Sequence, residues 1–308
     1  MSQPLELSGL RGDHPLGFLA ACGLLRSCGE SAEPCEAKLA WTRSEKTGAF
    51  IAVLHGIPSV ACLTKIIDRR CAARKKSPAF CWSSKIDDRQ KYRNAASALL
   101  TQNGVSLGNK EALATLAALS SDLTVNGKGS LQSTLLDLTS GNQRFLTSIL
   151  ESSKQLTEDA VREALFGPWQ YNDDNHSLGW DPQTQRLHAL RNKLPEKDKS
   201  NRSVRAVVFL ATQALPLFPC FARGGKLYTT GFYRDGDEDW FSWPIWRAPL
   251  SVGTLGSLLA QRFAADLRKR GVEIVYRCRR IRTGGAEGNY QVFSYASERR
   301  WPTAAIGR

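Results

Sequence analysis

The segment PLGFLAACGLLR, Pro15 to Arg26, constrains this chain before anything else. Its Leu16, Phe18, Leu19, Leu24 and Leu25 are separated only by Gly, Ala and Cys, so a helix built from it is apolar nearly all the way round. Such a helix has no face to offer water and must be wrapped on every side. The 308 residues, 42% of them hydrophobic, supply one large or two ordinary domains with cores able to do so. Asp13, ahead of His14 and Pro15, predicts the helix start: a carboxylate accepts the free amide hydrogens of a first turn, and Pro suits the earliest helical positions. Gly9, Gly12 and Gly17 do not make a phosphate loop. No Gly-Lys-Ser/Thr follows them, and no strand leads into a G-x-G-x-x-G.

Downstream, AKLAWT and GAFIAVLH predict a hairpin. Pro58 opens a helix whose Ala61, Leu63, Ile66 and Ile67 alternate with Lys65, Arg69 and Arg70 at helical spacing, and Pro78 stops it. Asp87 is expected to cap the next helix, to about Gln102; further helices are expected over Lys110–Leu119 and from Thr157 to Leu165. The polar, turn-rich stretch from Phe166 to Ser203 predicts a boundary between an N-terminal α+β domain with basic helices, 1–165, and a C-terminal α+β domain, 166–308. The second would hold an apolar helix from Val204 to Leu215, the aromatic segment DWFSWPIWRAPL, an amphipathic helix from Leu255 to Arg270, and two strands, VEIVYRCRRIR and YQVFSYAS. The expected class is α+β, mixed helices and short antiparallel sheets, with helix in excess.

Charge is the strongest bulk signal. The net charge is +13, and it is concentrated: Val60–Gln102 carries ten Lys/Arg against three Asp/Glu, and Arg247–Arg308 twelve against four. Two cationic windows in an otherwise neutral chain point to a polyanion, nucleic acid above all. In the first window Lys65, Arg69, Arg70, Arg74, Lys75 and Lys76, then Lys85, Arg89, Lys91 and Arg93, form the polar faces of helices able to lie along phosphates. In the second, Arg277, Arg279, Arg280 and Arg282 sit on a strand, where Arg forks meet phosphate or guanine. The loop NGKGS adds Asn126 and Lys128 as groove contacts. The Trp run in DWFSWPIW suits base stacking or packing in a core or subunit contact.

Eight cysteines (22, 28, 35, 62, 71, 81, 220, 278) form no C-x-x-C pair, and the four histidines (14, 55, 176, 188) stand apart from one another. Reduced, buried thiols are expected, with no metal and no cofactor. Among Asp181, Arg186 and His188 a structural placement is read, with Asp181 and Pro182 making a helix start and His188 two turns on, rather than an acid/base pair. No run approaches eighteen apolar residues and no secretory leader is visible, so no membrane is expected and the chain is placed in the cytoplasm.

Five segments in order carry a resemblance: GLRGDHPLGFLAACGLLR, LDLTSGNQRFL, LGWDPQTQRLHALR, ALPLFP and FSWPIWRAPL. Together they resemble the large-subunit proteins of type I-G (formerly I-U) CRISPR effector complexes. The resemblance implies a non-enzymatic subunit of Cascade, the RNA-guided antiviral ribonucleoprotein. Its partners would be target DNA, the CRISPR guide RNA, the other Cascade subunits and the helicase-nuclease of the interference step. It would read the protospacer-adjacent motif on duplex DNA and help separate the strands, while the guide supplies sequence specificity. The resembling segments do not coincide with the cationic windows, so the binding residues rest on charge and spacing alone. Two other readings stay open: a guide-RNA-processing endoribonuclease with His14 or His188 as base, and a bridging subunit that contacts only its neighbours in the complex.

Overall fold

The apolar segment forms helix α1, Pro15–Gly29, and every residue from Pro15 to Cys28 is buried. The structure, a computed structural model, describes residues 3–29, 36–80, 86–101, 106–139, 144–154, 156–184, 202–261, 264–283 and 290–299. The cap of α1 is His14, not Asp13. With Pro15 as the first helical residue, His14 occupies the capping position: its Nδ1 accepts from Gly17 N–H at 3.3 Å and its carbonyl accepts from Phe18 N–H at 2.8 Å. Asp13 lies one residue too early and instead pairs with Arg11 at 2.6 Å.

The elements around α1 are, in order, strands β1 (Leu5–Arg11), β2 (Lys38–Arg43) and β3 (Phe50–His55), and helices α2 (Val60–Lys76), α3 (Arg89–Thr101) and α4 (Leu107–Leu119). Hairpin β4 (Ser120–Val125) and β5 (Leu131–Ser133) follows, then helices α5 (Phe145–Ser152) and α6 (Glu158–Phe166), and the short pair β6 (Asp173–Asp174) and β7 (Arg202–Ser203). Helix α7 (Arg205–Gln213) leads to hairpin β8 (Cys220–Arg223) and β9 (Lys226–Thr229), and then to β10 (Phe232–Asp235) and β11 (Glu238–Trp246). Helices α8 (Val252–Leu259) and α9 (Ala264–Lys269) precede β12 (Val272–Thr283), β13 (Tyr290–Phe293) and β14 (Ser297–Glu298). The class is α+β with small antiparallel sheets and a modest excess of helix.

The expected hairpin is β2–β3, and β1 joins the free side of β3 to complete a sheet ordered β1-β3-β2. Ser59 and Thr157 cap α2 and α6 as side-chain acceptors. The start of α3 corrects the expectation at Asp87. The cap is Asp88, whose Oδ1 accepts from Lys91 N–H at 2.9 Å, while the Asp87 carbonyl takes the Leu131 amide of β5. The single amphipathic helix expected over Leu255–Arg270 is two helices, because Ser251 starts α8 early and Ala260 closes it with amide bonds to Gly256 and Leu258.

α1 runs against α7 at the closest distance a backbone allows: a Cβ on Gly23 would sit 1.8 Å from the Leu210 carbonyl oxygen. Phe18 on α1 stacks on Trp41 of β2 at 6.0 Å and on Trp243 of β11 at 5.6 Å, which ties the first sheet to the second. The second sheet is ordered β10-β11-β12-β13, with β14 also on β12. Its inner face presents Phe241, Trp243, Cys278 and Phe293, all fully buried. The Trp run is therefore mostly core: the indole N–H groups of Trp243 and Trp246 donate to the carbonyls of Gly12 at 2.7 Å and Leu39 at 2.8 Å. One hydrophobic cluster contains residues from both halves of the chain. No helix among the described residues is long and apolar enough to cross a membrane.

Candidate nucleic-acid interface

The cationic residues of α2 divide by face. Lys65, Arg69, Lys75 and Lys76 are exposed, whereas Arg70 and Arg74 are buried among the helix's apolar contacts. Arg70 donates to Glu111 at 2.8 Å and to the Ser27 carbonyl. Arg74 donates to the Thr212 hydroxyl and lies between the rings of Phe80 and Phe209, 5.2 and 5.0 Å from their centroids. These two are corrected: they hold α2 onto α1, α4 and α7 and do not face a phosphate backbone. The reason is positional, since residues 70 and 74 continue the buried stripe Leu63–Ile66–Ile67 at helical spacing. Burial pulls the Arg74 guanidinium down to about 9.

On α3, Arg89 and Lys91 are exposed, and Arg93 pairs with Asp122 of β4 at 2.8 Å. Lys85 lies outside the described residues, as do Arg186 and His188. The NGKGS loop is the turn of β4–β5. The Asn126 side-chain oxygen accepts the amides of Lys128 and Ser130, so that oxygen shapes the turn, while Lys128 is exposed at its tip.

The four arginines of β12 also separate. Arg280 turns inward, donating to Gln291 at 2.7 Å and to the Asp137 carbonyl at 2.9 Å, and burial lowers its pKa. It is corrected to a bridge between β12 and the segment before α5. Arg279 is held by Glu238 across the sheet, which offsets its charge, and Arg282 is exposed. Arg277 points outward: its guanidinium lies over Trp240 at 4.4 Å and donates to the Tyr233 hydroxyl at 3.2 Å.

Around Arg277 the structure assembles residues that charge counting did not select. On the outer face of the second sheet, register places Tyr233 beside Trp240 and Ser242 beside Arg277. Arg299, just after β14, lies over Tyr233 at 4.6 Å. The β8–β9 hairpin continues this surface. Phe221 and Tyr228 are cross-strand partners, stacked at 5.5 Å and 14°, and Arg223 opposite Lys226 lies on the same side two residues on. The other side of that hairpin faces the protein, where Thr229 meets Thr134 and Leu227 N–H donates to Gln132. Gln132 also donates to the Gly225 carbonyl at 3.2 Å, setting the two hairpins side by side, so Lys128, Arg223 and Lys226 are neighbouring hairpin-tip cations.

The result is a partly exposed band in which rings alternate with cations: the exposed Arg223 and Lys226, then Phe221 and Tyr228, then the half-buried Tyr233 with Arg299 and Trp240 with Arg277. Rings give stacking surface to bases and cations give phosphate contacts, which is the combination single strands bind. Part of it was legible. In CFARGGKLYTT, a Gly-Gly turn between alternating residues marks a hairpin and puts Phe221, Arg223, Lys226 and Tyr228 on one face. The contributions of Tyr233, Trp240 and Arg299 depend on sheet order, for which no local signal exists.

A second polar cluster forms where GDHPLGF meets LGWDP. His14 Nε2 lies 3.2 Å from Asp181 Oδ1, which also accepts from Gln183 N–H at 2.8 Å, and the Asp181 side chain is almost fully buried. Trp169 meets the imidazole edge-on at 5.2 Å. Burial first, and then the Asp181 carboxylate, push the Tyr171 phenol up. Nδ1 is taken by the helix cap and Nε2 faces the Asp181 carboxylate, which sets the 178–184 segment against the start of α1. Burial likewise raises the thiols of Cys22 and Cys278. Among the described residues no group of three His, Cys, Asp or Glu is placed to hold a metal. No family model matches this chain, and no curated protein or solved structure does either.

Proposed function

We propose that the chain is a non-enzymatic, nucleic-acid-binding subunit of a type I CRISPR Cascade complex, acting in the cytoplasm on target DNA. Its part there is to contact the protospacer-adjacent region, hold separated strand and help recruit the helicase-nuclease. The observation that carries the binding reading is the ring-and-cation band from Arg223 to Arg277. The assignment to Cascade rests on the ordered resemblance of five sequence segments. The band supplies stacking and phosphate contact, terms that carry little sequence information, and this suits a protein whose guide RNA reads the sequence.

The test is anisotropy of labelled duplex and single-stranded DNA with the full chain, over about 50 to 200 mM salt. Arg223→Glu with Lys226→Glu is expected to weaken binding and reduce the slope of log K against log salt by about 1.4 to 1.8, two phosphate contacts' worth. A complex assembled without this chain that binds motif-bearing duplex as tightly as the complete one would overturn the Cascade role. A full chain without affinity for either DNA would overturn the binding role.

A further inference from the structure

A pocket of about 350 Å³ opens in the middle of the band. Its floor is the outer face of the second sheet, with Tyr233, Ser242, Pro244 and Val275, and Leu258 and Leu259 of α8 close it on the apolar side. Phe221, Arg299 and Gln261 also line it. We propose that this pocket receives one unpaired nucleobase from a strand lying along the band. The inference rests on the nucleic-acid reading above and deepens it by naming what the strand inserts.

Three observations support this occupant. The volume is at the low end of the roughly 300–1,000 Å³ usual for small-ligand sites, enough for a single base and not for a run of them. The lining combines apolar walls with rings, and stacking accepts any base because every base has a π-face. Polar groups of both kinds are on hand: the Tyr233 hydroxyl accepts from Arg277, which leaves its own proton to donate, and the Ser242 hydroxyl donates to the Tyr276 carbonyl at 3.2 Å, which leaves its lone pairs to accept. Charge matches as well, because Arg299 is in the pocket wall and Arg277 is bonded to Tyr233, so the phosphates flanking an inserted base meet cations. A base taken out of its stack into such a site is held by its faces and edge together.

The experiment uses the full chain with a short duplex carrying a single-stranded tail, in a DNA arm and an RNA arm. 2-Aminopurine is placed at each of the first six tail positions in turn, and acrylamide quenching reports the solvent access of each. Acrylamide quenching is expected to fall at least threefold at one position and to change little at the others. Ala260→Trp, at an exposed position on the pocket wall, is expected to abolish that local protection while changing overall affinity less than threefold. Protection in only one arm identifies the strand chemistry the pocket accepts. Tight binding with uniform quenching, or protection that survives Ala260→Trp, overturns the pocket and leaves the band standing. Loss of binding in both arms overturns the band, and the pocket with it.

Discussion

Arg74 separates a cation that packs from one that binds, and two substitutions test the distinction. Arg74→Ala removes a side chain lying between Phe80 and Phe209 and leaves the Thr212 hydroxyl without its donor. Core truncations of this size cost about 2–5 kcal/mol, and two buried cation–π contacts add about 1–2 kcal/mol. Against this stands the penalty of burying the charge. A guanidinium drawn from 12.5 down to about 9 carries a cost on the order of a few kcal/mol. The net for Ala is a loss of about 1–3 kcal/mol, read as a fall of about 2 °C in melting temperature per kcal/mol for a chain this long. Arg74→Met keeps most of the volume and removes the buried charge, so it is expected to stay within about 1 kcal/mol of the parent. Neither variant should change nucleic-acid affinity by more than about twofold or alter the salt slope, because the guanidinium does not reach solvent. Lys75→Glu with Lys76→Glu, on the exposed last turn beside it, should cost about 1 kcal/mol by opposing the dipole of α2. Scanning calorimetry and salt-dependent anisotropy on the same preparations decide the matter. If Arg74→Met melts normally and yet lowers the salt slope by about one phosphate contact, the inward reading of Arg74 is wrong.

Three further outcomes follow from particular contacts. His14→Ala should cost about 1–2 kcal/mol in urea unfolding, since it removes the side-chain cap of α1 and the imidazole packed 3.2 Å from the buried Asp181 carboxylate; an unchanged unfolding free energy would mean that neither contact contributes. Gly23→Ala should destabilise by about 3 kcal/mol or more, because the Leu210 backbone has no room to yield to a Cβ 1.8 Å away, and a neutral result would contradict the α1–α7 contact. Burial pushes the His176 imidazole from 6.5 down to about 4, while its Nδ1 accepts from Leu178 N–H at 2.9 Å. The unfolded chain takes up this proton first, so the contribution is whole above about pH 6.5 and is lost as pH falls toward 4, by about 2–3 kcal/mol. His176→Asn keeps an acceptor for that amide and should flatten the acid limb; an unchanged limb would remove His176 as the source.

The buried stripe of α2 shows where reading along the chain stopped short. Residues 63, 66, 67, 70 and 74 share one helical face by spacing alone, so the inward direction of Arg70 and Arg74 was already present in the periodicity. Charge argued for solvent and prevailed because the acceptors that make burial tolerable are remote. Glu111 and Thr212 lie 41 and 138 residues away. His14 and Asp181 make the same point from the other side. Each stands beside a proline, and the local pattern offers only two helix starts; the contact between them spans 167 residues. The β8–β9 hairpin is the opposite case, because its ring-and-cation face follows from a Gly-Gly turn and strand alternation without any tertiary knowledge.

What belongs to the chain as written is therefore the existence of elements and their faces: an all-apolar helix that has to be central, the hairpin over 38–55, the helix starts just after Pro58 and at Thr157, and cations gathered in two windows. These follow from backbone geometry, which repeats every 3.6 residues in a helix and every two in a strand. Partnership belongs to the fold. Arg277 and Arg280 are both half-buried on one strand, and alternation alone puts them on opposite faces, but only the fold sets Trp240 and Tyr233 against the first and Asp137 and Gln291 against the second. A side chain's role is set by the groups that meet it and by how much water their meeting excludes, and both are fixed only when distant segments pack.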